Sequence, residues 1–180
     1  MVTAIENEDV TGRIWKMSKT AKCIVFVFLM LLCAETVAFD ENGERFCLAK
    51  NIYFEAGNQP KAGRIAVAQV TMNRVADPQF PDNVCDVVYQ AKEYKKSWKT
   101  GEMIPKRGMC QFSWFCDGKP DIPQDSVTWM ASLKLADQYL STEQVDITDG
   151  ALWYHADYIY PYWADHLEEV CRINNHIFYR

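Results

Sequence analysis

Positive charge is what this 180-residue sequence has too little of: 19 Lys and Arg face 24 Asp and Glu, a formal net charge of -5. A nucleic-acid binder needs a basic surface to displace counterions from phosphates, and no basic recognition helix is present, so no nucleic-acid partner is expected. Internal repeats, low-complexity tracts and interior linkers are missing too. With 49% hydrophobic and 24% charged residues, the chain has the composition of one globular domain with a proper core, expected to be a monomer. Nor does any apolar run comfortably reach the roughly 20 residues that span a bilayer.

The apolar run "CIVFVFLMLLCA" follows Lys16, Lys19 and Lys22 and leads into "ETVAFD", with Thr36 and Ala38 as small residues at -3 and -1. Residues 1–38 therefore read as an N-terminal extension and export signal, with a retained signal anchor as the alternative and Met17 as an alternative start. Membrane contact is expected only through this segment, and residues 39–180 are expected in the periplasm or outside the cell. Export leaves Cys47, Cys85, Cys110, Cys116 and Cys171 in an oxidising compartment. The bracket "CQFSWFC" makes Cys110–Cys116 a natural local pair, Cys47–Cys85 is the second pairing, and Cys171 is left over. A zinc site from these cysteines with His155, His166 and His176 lacks a second close cysteine pair, so no metal and no cofactor is expected.

Within "AKNIYFEAGNQ", helical periodicity puts Leu48, Ile52 and Glu55 along one side, with Ala49, Tyr53 and Ala56 beside them. Glu55 thus sits at the edge of a buried face, one residue before an Ala-Gly stop. Apolar neighbours and the negative end of the helix dipole both push its pKa upward, as a general acid requires. A solvated glutamate at a helix end is the alternative. "KAGRIAVAQVTMNRV" reads as a central helix started by Asn58 and Pro60. Its Gln69 and Asn73 either satisfy backbone groups in the core or point into a cleft. "DPQFPDNVC" is turn chemistry leading into "DVVYQ", a short helix or strand. The stretch with Lys92, Lys95, Lys96, Lys99, Lys106 and Arg107 reads as a polar loop. It is solvated surface, or an attractor of an anionic polymer. Asp125 or Ser126 caps a helix with Trp129, Leu133, Ala136 and Leu140 on its stripe. "DGALWYHADYIYPYW" reads as a strand, Leu152 and Tyr154 on one side, Trp153 and His155 on the other, with "HIFYR" as its partner.

"CLAKNIYFEAGNQPKAGRIAVAQVTMNRV", "FPDNVCDVVYQ", "CQFSWFCDG" and "GALWYHADYIYPYW", closing with "HIFYR", together resemble the cell wall hydrolases of the SleB/CwlJ type from about Cys47 to Arg180. The resemblance implies an α+β, mostly helical, lysozyme- and lytic-transglycosylase-like single domain with a small β-sheet. It implies peptidoglycan as partner, cut in its glycan strands. The family's catalytic glutamate lies in "YFEA", which places that role on Glu55. The family pattern continues with Arg, then Gly-Glu. Here Gly57 stands where the Arg is expected, and Gln59 stands in for the next acid.

One carboxylate suits a lytic transglycosylase, because the muramic acid's own 6-hydroxyl closes onto the anomeric carbon and no water need be activated. Two-acid glycosidases need a partner, for which Asp117, Asp149 and Asp157 are candidates. The sugar site is expected to use "QFSW" and "WYH": Gln111, Phe112, Ser113 and Tyr154 lining the cleft, His155 orienting a neighbour or binding substrate, with Gln69 and Asn73 as further contacts. Phe112, Trp114 and Trp153 are alternatively core. Two rivals remain. One is an amidase or peptidase using Cys110 or Cys116 with His155. The other is a non-catalytic peptidoglycan-binding module.

Overall fold

The computed structural model describes residues 43–180, and the export signal expected over residues 1–38 lies outside them. Four helices come first: α1 (Glu44–Ala56), α2 (Lys61–Ala76), the short α3 (Val84–Val88) and α4 (Ser126–Ser141). Two strands between α3 and α4, β1 (Tyr94–Lys96) and β2 (Met103–Pro105), pair antiparallel. A single 3-10 turn at Ser113–Cys116 precedes α4. After α4 come β3 (Trp153–Ala156), β4 (Glu169–Ile173) and β5 (His176–Tyr179), in the sheet order β3-β5-β4, all antiparallel. This is the expected α+β mixture, with two small sheets rather than one. No helix among the described residues is long and apolar enough to cross a membrane.

Helix α1 packs against α2, α3 and α4, and its apolar face is the middle of the core: Leu48, Ala49, Ile52 and Ala56 are fully buried. Valines of α3, Phe112, Leu133 and Ala136 close around it. The Cys47–Cys85 disulfide ties α1 to α3, and the Arg45–Asp137 ion pair ties it to α4. Tyr53 on α1 accepts hydrogen bonds from the backbone N–H groups of Gln124 and Asp125, which fixes the entry to α4. Asp125, not Ser126, caps α4 by accepting from the Thr128 N–H. Helix α1 stops at Gly57 with an ordinary right-handed backbone. A Cβ there would meet the Tyr53 carbonyl oxygen at 2.4 Å and Thr128 Cγ2 at 3.1 Å, so close packing is what requires glycine.

A second, smaller core joins α2 to the three-stranded sheet through Ala66, Val70, Ala151 and Phe178. Helix α2 is therefore shared, one face on α1 and another on the sheet. "HIFYR" pairs with β3 as expected, with Tyr154 opposite Phe178 and His155 opposite Ile177. It does so as the central strand, because β4, which no alternation in "EEVCRI" announced, takes its other edge. The lysine-bearing stretch read as loop is the β1–β2 ribbon.

Candidate active site

Five parts of the chain bring side chains to one cleft of about 520 Å³: the end of α1 with Phe54 and Glu55, Arg74 of α2, the 111–121 segment, β3 with the loop after it, and His176 of β5. Glu55 is half-buried, open to the cleft and packed by protein elsewhere. Its carboxylate accepts a 3.1 Å hydrogen bond from the Tyr154 hydroxyl, which crosses from β3. Loss of water raises the Glu55 pKa from its ordinary 4.5 to about 7, against the opposing pull of the Tyr154 hydroxyl and the Arg74 charge. Burial and the Glu55 charge in turn hold the Tyr154 hydroxyl firmly protonated.

Arg74, near the end of α2, was not singled out by sequence reasoning. An arginine directly after Asn73, near the end of the apolar stretch that follows Arg64, was its one signal. It is 4% exposed, and its Nε donates to the Leu152 carbonyl at 2.7 Å. Its guanidinium lies 4.9 Å from the Phe112 ring centre and 5.2 Å from that of Phe80, between two aromatic faces. Burial lowers its pKa to about 10, still well above neutrality, so it remains a cation beside Glu55. Its Nη1 has no protein partner. The positive charge that Gly57 cannot supply is thus present from the neighbouring helix.

Gln111, exposed Ser113 and Tyr154 line the cleft. The Cys110–Cys116 disulfide brackets the first two, and Trp114 between them is anchored by its Nε1, which donates to Asn51 at 3.0 Å. Phe112 reaches the cleft only as its floor: at 1% exposure it is core, and its ring face is taken by Arg74. His155 borders the cleft with both ring nitrogens engaged. Nδ1 meets the Ala156 carbonyl and Nε2 the Tyr179 hydroxyl, each at 2.9 Å, while the ring stacks on Tyr179. It is placed as a strut of the β3–β5 pair.

Gln69 and Asn73 need correcting, because neither lines the cleft. Asn73 Nδ2 donates to Asp146, to the Ala151 carbonyl and to Thr148, and Gln69 donates to Asn73 at 2.8 Å. These amides hold the 146–151 turn to α2, where Asp149 and Gly150 have positive φ. His176, weighed in the sequence only as a zinc ligand, is instead a cleft residue: buried in β5, it lines the cleft edge-on to the Tyr154 ring, with Nδ1 unpartnered. Burial depresses its pKa, keeping the ring neutral.

Of the second-acid candidates, Asp149 and Asp157 are spent in ion pairs with Arg180 and Arg172 and lie off the cleft lining. Asp117 lines the cleft but accepts from the Lys119 N–H at 2.7 Å, and its pKa is depressed chiefly for that reason. Asp121 lines the cleft as well, its pKa raised by partial burial. Cys110 and Cys116 are joined, so neither offers a thiolate to His155. No group of three or more potential metal ligands exists among the described residues.

The family model for cell wall hydrolases matches residues 58–179, beginning just past Glu55. A spore cortex-lytic enzyme of Halalkalibacterium halodurans is 44% identical over 43 residues, 24% of this chain and 13% of that protein. The spore cortex-lytic enzyme of Bacillus subtilis is 38% identical over 52 residues, 29% of this chain and 17% of that protein. The matched segment thus spans under a fifth of either relative. The SleB catalytic domain of Bacillus cereus superposes with a TM-score of 0.54 at 22% identity, covering 80% of this chain and 94% of that one. The catalytic domain of the germination-specific lytic transglycosylase SleB of Bacillus anthracis gives 0.55 at 23%, covering 80% and 98%.

Proposed function

This chain belongs to the cell wall hydrolase family, and from that premise we propose that it degrades peptidoglycan by cutting the glycan strand between N-acetylmuramic acid and N-acetylglucosamine, as a lytic transglycosylase with Glu55 as its one catalytic acid. The observation that carries this reading is a carboxyl group with a pKa near 7, facing a cleft wide enough for sugar rings. Protonated Glu55 gives its proton to the glycosidic oxygen as the bond to the anomeric carbon breaks. The 6-hydroxyl oxygen of the muramic acid then bonds to that carbon, and its proton returns to the Glu55 carboxylate. The acid is regenerated and a 1,6-anhydro end is left.

Tyr154 orients the carboxyl through its hydroxyl. Arg74 steadies the carboxylate form between the two proton transfers. Gln111 and Ser113 supply polar contacts to the sugars. We assign residues 39–180 to the catalytic domain and residues 1–38 to export, which suits two disulfides and a substrate outside the cytoplasm.

The test is digestion of purified sacculi. Wild-type protein is expected to release muropeptides ending in 1,6-anhydromuramic acid, and Glu55→Gln to release none. Reducing ends instead would mean attack by water and give Asp117 or Asp121 the role of base. Undiminished lysis by Glu55→Gln would overturn the assignment of the acid. Binding to sacculi with no release by the wild type would leave a binding module.

A further inference from the structure

The β1–β2 ribbon buries almost nothing. Five of its six strand residues are exposed and the sixth, Pro105, is half-buried, so neither face is covered by the rest of the protein. It is tied on at its base, by the Ala91–Cys110 bridge and the flanking backbone bonds Lys92 N–H to Met109 and Gln111 N–H to Gln90. A two-stranded ribbon alone in water is marginal, and apolar side chains on one are a liability unless something covers them. Here Trp98 at the tip is 88% exposed, Met103 64% and Tyr94 47%. The register puts Tyr94 opposite Pro105 and Lys96 opposite Met103, so these four share one face beside the Trp98 tip. Lys99 leans over the Trp98 ring, its Nζ 5.2 Å from the centre.

Charge is concentrated in the same place. Between Lys92 and Arg107 lie six basic and two acidic side chains, an excess of four positive charges in a chain whose net charge is -5. One of the two acids, Glu93, is already paired with Lys106. An anionic wall polymer would use these lysines and leave Trp98 and Met103 in water, while a neutral glycan would use the indole and have no call on the lysines. An anionic lipid surface uses both: headgroups for the ammonium ions, and the interfacial layer for an indole and a thioether.

We propose that the β1–β2 ribbon is a docking surface for an anionic phospholipid membrane, with Trp98 and Met103 entering the interface and Lys96 and Lys99 lying among the headgroups. This goes beyond glycan cleavage and stands apart from it, since none of these residues lines the cleft.

The full chain carries its own apolar N-terminal run, so the test reads Trp98 locally. Vesicles of phosphatidylglycerol with brominated acyl chains quench indoles that reach the bilayer, and wild type is compared with Trp98→Phe. Trp15 lies beside that N-terminal run in the sequence and is common to both proteins, so the readout is the quenching of wild type in excess of Trp98→Phe, expected on brominated phosphatidylglycerol and absent on brominated phosphatidylcholine. The change Lys96→Gln is expected to weaken the Trp98-dependent binding about fivefold. Both variants are expected to keep wild-type activity on soluble glycan fragments, which verifies their folding. Equal quenching of wild type and Trp98→Phe would overturn the proposal, as would an equal excess in the two lipids. So would a Trp98 emission shift produced by soluble teichoic acid but not by vesicles, which would make the ribbon a polymer site.

Discussion

Burying the Glu55 carboxyl raises the free energy of its charged form, and two measurable slopes follow. The acid must be protonated to act, and its pKa is about 7, so activity on sacculi is expected to be full below about pH 6 and to fall about tenfold per unit well above pH 7. Stability moves with it. The unfolded carboxyl ionises near 4.5 while the folded one holds its proton to about 7, so the stabilising contribution is complete below 4.5 and is lost as pH rises through 7. Glu55→Gln cannot ionise. Activity is expected to drop on the order of 10²–10⁴-fold, while its melting temperature gains on the wild type between pH 4.5 and 8 and not below. Because the Tyr154 hydrogen bond pulls the Glu55 pKa down, Tyr154→Phe is expected to shift the alkaline limb of the pH–rate profile upward. A limb that stayed in place would show that Tyr154 does not govern this proton.

Among the elements, α2 shows how far a helix pattern reaches. Its apolar period places it in the core, and the same period leaves Gln69, Asn73 and Arg74 to be explained one by one. Asn73 answers to the 146–151 turn, more than 70 positions away, a partner that no local spacing reveals. Asn73→Ala strands the Ala151 carbonyl and loosens Asp146, and is expected to cost about 1–3 kcal/mol in urea unfolding with wild-type catalysis at low temperature. Asn51→Ala, fully buried between Thr71 and Trp114, is expected to cost as much and to impair activity too, because Trp114 sits in the cleft wall. Glu55 was legible for the opposite reason: its apolar surroundings and the helix stop both lie within a few residues of it. The β1–β2 ribbon was hidden because neither of its faces is buried, so no two-residue alternation of apolar and polar residues marks it.

At the scale of the molecule, the family motifs placed Glu55, Gln111, Ser113 and Tyr154 on one cleft before any geometry was known, and the two expected disulfides are both present. Spacing could not foresee that the cation near Glu55 would come from α2, with glycine held at 57 by the Tyr53 carbonyl. Loss of Cys47–Cys85, whose partners are 38 positions apart, is expected to lower stability by roughly 4 kcal/mol on loop-closure grounds, read as a lower urea midpoint of Cys47→Ala/Cys85→Ala. The three-stranded sheet adds a constraint on the order of events. Its middle strand comes from positions 176–179, so Tyr154 has no neighbouring strand to fix it until those residues emerge from the ribosome. A nascent or stalled chain stopping short of them would carry the acid with its aiming phenol, Tyr154, unsupported. Completion of the site would thus wait on the last strand of the sheet to be made.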